Sequence, residues 1–445
     1  MKKLYEGNLR KNFFLFGFPL VLTALFSQSF NIVNTIIAGS LLGDEAISAT
    51  GSTAPLISFI SSLFWGYGNG FSIYVAMLFG NGNYKKMLNV IKVNLLLSSV
   101  FAVIITAFCL VFEANIYDFL NIEESLRAET SAYFTTYISG LLLCNLNWSL
   151  MYISNSLGLT VLPLAASLIV NVVNIGGSYI LVKFAGFGVR GIAIATVAAN
   201  FCTVLLYLIS LSKAMHGMGV SLKGIYFNKH EFGESWRFAF PTMLQQSAMY
   251  LCTALVSPMV NDCGSDAIAG YTVGMKLYDI NSGVYQNSNK SITTYIAQCM
   301  GAKKYRMLKK GIRVGILQSM LILAPFLLTT VLGGKIIPRF FLDSPDARYF
   351  AEIFLMWCMP FILFNVFNNL FHAIFRSTGA GQYLVISTCI YAAARFGFSY
   401  LLFGKFSMYG IYAAVVLSWI TEAIFGTIIY ISGKWKTPEL KSAGI

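Results

Sequence analysis

Apolar stretches long enough to cross a bilayer recur along this chain from one end to the other, and that recurrence limits what it can fold into. A helix rises about 1.5 Å per residue, so roughly 20 apolar residues cross the hydrocarbon. Such stretches lie at 13–37, 53–78, 91–112, 131–155, 161–182, 191–211, 237–260, 268–298, 314–333, 350–374, 383–403 and 409–431. All are read as helices, because an open sheet edge in lipid leaves backbone groups unpaired. The short alternating segments of a β-barrel do not occur. The expectation is an all-α, polytopic membrane protein with 12 transmembrane helices. Composition agrees, with 57% hydrophobic and only 11% charged residues, against about 25% charged in a soluble domain. The polar start from Met1 to Lys11, with an apolar run reaching Ile37, does not resemble a cleaved signal peptide.

The formal charge of +13 raises the question of nucleic acid. Its distribution answers it. With the N-terminus in the cytoplasm, 21 of the 31 basic residues fall on the cytoplasmic side, among them Lys303, Lys304, Arg306, Lys309, Lys310 and Arg313. Seven fall outside, and Lys276, Lys290 and Arg395 fall within spans. This obeys the positive-inside rule and predicts both termini in the cytoplasm of a plasma (inner) membrane protein. No nucleic-acid partner is needed to explain the charge. The eight cysteines form no C-x-x-C pair, and the three histidines lack metal-ligand spacing, so neither a metal nor another cofactor is expected.

The halves repeat. At an offset of 221 residues, Gly43 to Val93 aligns without gaps to Gly264 to Val314, with 11 identities in 51 positions. The loop pairs Gly43/Gly264, Gly80/Gly301 and Tyr84/Tyr305 count most, because lipid does not dictate them. Pro19 and Pro241 match one residue out of register. Six spans per repeat is even, so the repeats run parallel. The expected domains are two pseudo-symmetric six-helix lobes, 1–211 and 237–445, joined by a polar, basic cytoplasmic linker at 212–236. Such lobes suit alternating access about a site near the bilayer midplane.

Leu42-Gly43-Asp44-Glu45-Ala46-Ile47-Ser48-Ala49 and its echo Cys263-Gly264-Ser265-Asp266-Ala267-Ile268-Ala269 resemble the multidrug and toxic compound extrusion (MATE) family. So do Gly188-Val189-Arg190-Gly191-Ile192-Ala193-Ile194-Ala195-Thr196 around span 6, Gly274-Met275-Lys276-Leu277 on span 8, and Pro19 on span 1. The resemblance covers the whole chain. It implies twelve helices in two lobes and export driven by a proton or sodium gradient. It also marks departures. The family's span 1 aspartate is Asn34 here, its span 5 asparagine is Asn174, and the acid four residues on is Ser178. Thr196 matches the site threonine on span 6, and the span 10 acid of one branch is Asn365. An amide does not titrate near neutral pH. The usual first-lobe proton carriers are therefore missing.

A charge inside a span costs about 2.5–3.5 kcal/mol on the insertion scale, so each one calls for a reason. Lys276, Asp279 and Lys290 fall on one stripe of span 8, with Asn281, Asn287 and Ser291 nearby. The stripe reads either as a substrate or proton site, or as an ion pair of Asp279 with a lysine. Arg395 and Glu422 lie mid-span on helices 11 and 12 and read as a pair or as coupling groups; Asp279 and Glu422 are the remaining proton carriers. Glu352, at the start of span 10, reads as an interface residue. In the first lobe Gln28, Asn31, Asn34, Asn171, Asn174, Ser178, Thr196 and Asn200 read as interhelical hydrogen bonds or as a polar cavity. Catalytic chemistry is not expected, because no nucleophile, base or metal cluster stands out. The expected protein is a monomeric, cation-coupled exporter of amphipathic small molecules, surrounded by membrane lipid. The alternative is a carrier of lipid-linked sugars or other anionic substrates.

Overall fold

The computed structural model describes residues 3–120, 122–220, 224 and 226–444, apart from the side chains at 29–32, 34–36, 38, 39, 44, 45, 47 and 48. Its first nine helices are α1 (Leu9–Leu42), α2 (Asp44–Ser52), α3 (Ala54–Asn81), α4 (Tyr84–Val111), α5 (Glu113–Phe119), α6 (Arg127–Ser139), α7 (Leu141–Ser156), α8 (Val161–Lys183) and α9 (Gly188–Gly217). Then come α10 (Lys229–Asn261), α11 (Ser265–Gly301), α12 (Leu308–Leu332), α13 (Pro345–Ile353), α14 (Ile362–Ser377), α15 (Gly381–Phe406), α16 (Met408–Ser432) and the short α17 (Pro438–Ser442). Every predicted span lies on these helices, and no strand occurs among the described residues. Among the described residues, 8 helices are long and apolar enough to cross a membrane by length and composition.

Two predicted spans are not single helices. The stretch 131–155 divides into α6 and α7 at Gly140, where a Cβ would overlap the side chain of Val197 on α9. The stretch 350–374 passes from α13 through a π-helical turn at Phe354–Cys358 and a 3-10 turn at Met359–Phe361 into α14. Pro360 lies in that second turn, where its missing N–H breaks the helical ladder. Between α3 and α4 the chain turns at Gly82, in the left-handed region at φ 79°. Asn83 Oδ1 then caps α4 by accepting from Lys86 N.

The outward faces are apolar. Leu317, Leu321, Leu328 and Leu332 stand exposed along α12, and Val100, Val103, Ile104, Phe108 and Val111 along α4. Polar side chains turn inward instead: Asn94, Asn145, Ser149, Asn174 and Gln298 are among the most buried residues. That inversion is what hydrocarbon as solvent demands.

The helices form two compact units, one containing Leu25–Met243 and the other Leu4–Ala24 with Leu244–Ile445. This differs from the expected lobes at two helices. The first half of α1 belongs to the second unit, where Phe13, Phe16 and Leu20 bury among Ile292, Tyr295, Ile296 and Ile374. The first half of α10 belongs to the first unit. There Gly66 and Gly70 on α3 let the α10 backbone come close, and a Cβ on Gly70 would stand 2.5 Å from Ala239 Cα. The exchange follows the repeat: the offset carries Gly70 to Ser291 and, one residue out of register, Gly17 to Ala239, and as Gly70 meets Ala239 so Ser291 Oγ lies 3.9 Å from a Cβ built on Gly17. Part of the expected linker is docked on α4. Asn89 on α4 donates to Tyr226 O at 2.9 Å and accepts from Tyr226 N at 3.1 Å. Lys92 Nζ reaches Gly224 O at 2.7 Å.

Gly70→Val should force α3 and α10 apart. Overpacking of this kind costs about 1–3 kcal/mol, so the unfolding midpoint of the purified protein should fall clearly. A midpoint equal to that of the unmodified protein would disprove the close approach.

Candidate functional site

In the first unit the polar residues of α8 and α9 form one hydrogen-bonded cluster. Asn174 is fully buried and donates from Nδ2 to Thr196 Oγ1 at 2.8 Å. Thr196 passes its own hydroxyl proton back to Ile192 O at 2.9 Å. Asn200 donates to Thr196 O at 2.8 Å and accepts from Asn147 Nδ2 on α7 at 2.9 Å. Thr203 closes the group by donating to Asn147 Oδ1 at 3.0 Å. Ser178 lies one turn beyond Asn174 and is equally buried. Asn174 Oδ1 and Ser178 Oγ point at no protein partner among the described residues.

This brings together Asn174, Ser178, Thr196 and Asn200, and adds Asn147 and Thr203, which the sequence reading passed over. Asn171 differs: it ties α8 to α1 through Phe26 O at 3.1 Å and reads as structural. Gln28 is half-buried on α1. The side chains of Asn31 and Asn34 lie outside the described residues. The cluster holds no carboxylate, so it can offer hydrogen bonds and neutral oxygen ligands but cannot itself take up a proton near neutrality.

In the second unit α11 has two distinct faces. Gly270, Val273, Gly274, Asn281, Tyr285 and Ser288 are buried, while Lys276 and Asp279 on the opposite side are exposed. Glycine permits the packing: a Cβ on Gly270 would stand 2.6 Å from Ala347 O of α13. Neither Lys276 nor Asp279 has an ion-pair partner within 4.0 Å among the described residues, so the expected pairing of Asp279 with a lysine is not formed. Lys290 is half-buried and donates to Asn287 Oδ1 at 2.8 Å. Two residues expected on the stripe turn the other way. Asn281 donates to Thr330 Oγ1 of α12 at 2.9 Å, and Ser291 donates to Ser288 O at 2.6 Å. The helical angle from Asp279 to Asn281 is about 200°, which carries the amide to the packed side.

The expected pairing of Arg395 with Glu422 is also not formed. Arg395 is buried and donates to Ile411 O at 3.0 Å and to Tyr271 OH at 3.4 Å. Glu422 instead meets His372 of α14, with Nε2 and Oε1 2.9 Å apart. Glu352 faces Lys335 at 3.7 Å. Asn365 is buried and donates to Tyr278 OH at 2.8 Å. The sequence carried one hint of His372: it lies four residues before Arg376, and seven after Asn365, on one face of α14.

A bundle of apolar-faced helices with inward-turned amides is that of a polytopic membrane protein, and no group of side chains able to hold a metal occurs among the described residues. The MatE family pattern matches residues 19–180 and again 241–401, once in each half of the chain, and the chain belongs to that family. Its members are transporters rather than enzymes. The multidrug export protein MepA of Staphylococcus haemolyticus is 23% identical over 85% of this chain and 83% of its own length. Among solved structures, an outward-facing multidrug resistance MATE family transporter of the MOP superfamily aligns at TM-score 0.91 and 19% identity, covering 99% of this chain and 100% of the other. A MOP superfamily transporter of Pyrococcus furiosus aligns at TM-score 0.89 and 20% identity, covering 98% and 100%. That protein is described with the words "reverse polarity of binding pocket suggests different function".

Proposed function

We propose that the chain is a monomeric secondary exporter of amphipathic small molecules in the plasma membrane, driven by an inward cation gradient and working by alternating access. The observation that carries this reading is the paired family match over two parallel repeats. Each repeat supplies most of one unit, and each unit turns polar side chains inward through apolar helices. Both termini lie in the cytoplasm in this reading, as the loop charges require. In this reading Asn34, Asn174, Ser178, Thr196, Asn200 and Gln28 are the uncharged site residues of the first unit. Lys276, Asp279 and Lys290 are the charged ones of the second, with Glu422 and Asp279 as the carboxylates able to exchange protons. Arg395 holds α15 to α11 and α16 and takes a supporting role.

The test is transport in proteoliposomes of purified protein. The cationic dye ethidium should move against its gradient when a proton or a sodium gradient is imposed in the opposite direction. Movement that ignores both gradients would remove the coupling, and no movement of any amphipathic compound would remove the exporter.

A second reading has one observation in its favour. The stripe of α11 formed by the exposed Lys276 and Asp279 and the half-buried Lys290 carries two lysines and one aspartate. A net positive site suits an anionic amphiphile, such as a lipid-linked sugar phosphate. Competition of an anionic lipid with ethidium in the same vesicles separates the two readings.

A further inference from the structure

Inside the second unit two groups of opposite charge stand at the ends of one hydrogen-bonded chain. Arg376 Nη2 donates to Gln245 Oε1 at 2.6 Å. Gln245 Nε2 lies 2.9 Å from His372 Nδ1. His372 Nε2 lies 2.9 Å from Glu422 Oε1, and Ser387 Oγ donates to the same oxygen at 3.1 Å. Gln245, His372, Ser387 and Glu422 are all buried, and they come from α10, α14, α15 and α16. The other titratable or charged groups in range are Tyr285 and Lys290 of α11 and Tyr391 of α15. The two phenols face Glu422, and Lys290 faces Arg376.

The ends of the chain decide its middle. A guanidinium only donates, so Gln245 must turn its carbonyl oxygen to Arg376. Its NH2 group then faces Nδ1, which must accept and carry no proton. The single ring proton therefore sits on Nε2 and is donated to Glu422, whose carboxylate also accepts from Ser387. From Gln245 to Glu422 each donor of the chain meets an acceptor. One basic position is left that can take up a proton, the lone pair of Nδ1.

We propose that His372, held against Glu422, is a proton-binding site whose occupancy decides whether Gln245 ties α10 to Arg376 of α14. On uptake, a proton from water bonds to the Nδ1 lone pair and the ring becomes an imidazolium beside the carboxylate. Nδ1–H and the Gln245 NH2 then oppose each other as two donors. The amide must turn over, offering its oxygen to Nδ1 and its NH2 to a guanidinium that cannot accept. The bond from Gln245 to Arg376 is lost while the one to His372 of the same helix is kept, so the tie between α10 and α14 drops from two bonds to one, and proton release restores the second. Gln245 lies two residues beyond Met243, where α10 passes from the first unit into the second. The proton thus acts on the helix that crosses between units. A buried pair with a purely structural task would not need the one side chain whose charge changes between about pH 5 and 8.

This rests on the cation-coupled reading above and names the residue that takes the proton. The chain has three histidines, so nitrogen-labelled histidine in the full-length protein gives three separable signals. The His372 signal, identified by its absence in His372→Gln, should pass from a single-tautomer neutral ring to an imidazolium as the pH is lowered. In proteoliposomes, His372→Gln keeps a donor for Glu422 and an acceptor for Gln245 but takes no proton. Ethidium exchange at equal pH should survive, while acceleration by an imposed pH gradient should fall about tenfold, the scale of a typical coupling energy. Glu422→Gln should lose the same acceleration. A His372 ring that does not titrate overturns the proposal, even in a protein that moves no ethidium. So does a His372→Gln protein that keeps its response to the gradient, or one that loses exchange and drive together. A wild-type protein that exports without any gradient response would sink the coupled reading instead.

Discussion

Asp279→Asn is expected to slow export about tenfold or more while leaving the unfolding midpoint in place. The argument starts from what Asp279 lacks. It is exposed on the face of α11 opposite the packed one, and no cation stands within ion-pair distance among the described residues. Replacing one partner of a buried pair strands the other and destabilises strongly, by about 3–5 kcal/mol. Here no partner is stranded. The substitution even removes a charge that costs about 2.5–3.5 kcal/mol to place in a span. A charge kept at that cost without a structural partner needs a visiting one. A charge-assisted contact to a substrate or ion is worth about 1.5–3 kcal/mol, which is roughly ten- to more than a hundredfold in an equilibrium. The measurement is initial ethidium efflux per folded molecule, taken beside a thermal melt. Wild-type efflux in the Asp279→Asn protein would remove Asp279 from the site. A drop in the melt matching the drop in efflux would make the residue structural.

Asn174→Leu should likewise cut export about tenfold, with little cost to the fold. Leucine and asparagine are close in shape, so the fully buried site between α8 and α9 can accept the exchange. What is lost is the bond to Thr196 and the Oδ1 acceptor beside Ser178. Interhelical hydrogen bonds in membrane proteins average about 0.6 kcal/mol, less than a threefold effect on any equilibrium. A tenfold loss of transport is therefore too large for a packing role and requires that Asn174 meet something that passes through. Thr196 keeps its bond to Ile192 O in the variant, so the rest of the cluster stands. Equal small losses in Asn174→Leu and Asn171→Leu would argue against a site. Asn171 serves as the comparison because it ties α8 to a backbone carbonyl of α1.

The helices themselves were readable in advance, because each span must be apolar and must satisfy its own backbone in lipid. That requirement acts residue by residue along the chain. The interruptions were harder. Gly140 breaks a span because Val197, fifty-seven positions away, occupies the space a side chain would need. The polar cluster of the first unit was half legible: Asn174, Ser178, Thr196 and Asn200 were readable as polar residues within spans, either bonding between helices or lining a cavity. Asn147 and Thr203 complete it through bonds spanning 53 and 56 residues, which no local spacing reveals. The charged residues misled in a consistent way. Arg395 and Glu422 share adjacent helices and opposite signs, yet the arginine reaches a carbonyl and the glutamate a histidine.

What the chain settles by itself is the helical membrane fold, the doubled design and the family, since lipid tests every residue for polarity and the repeat is written twice. What only the folded molecule decides is which polar groups meet. His372 and Glu422 are fifty residues apart, and α1 and α10 each pass from one unit to the other. Those outcomes depend on close backbone approaches at a few glycines, where the absence of one side-chain atom sets the distance between whole helices.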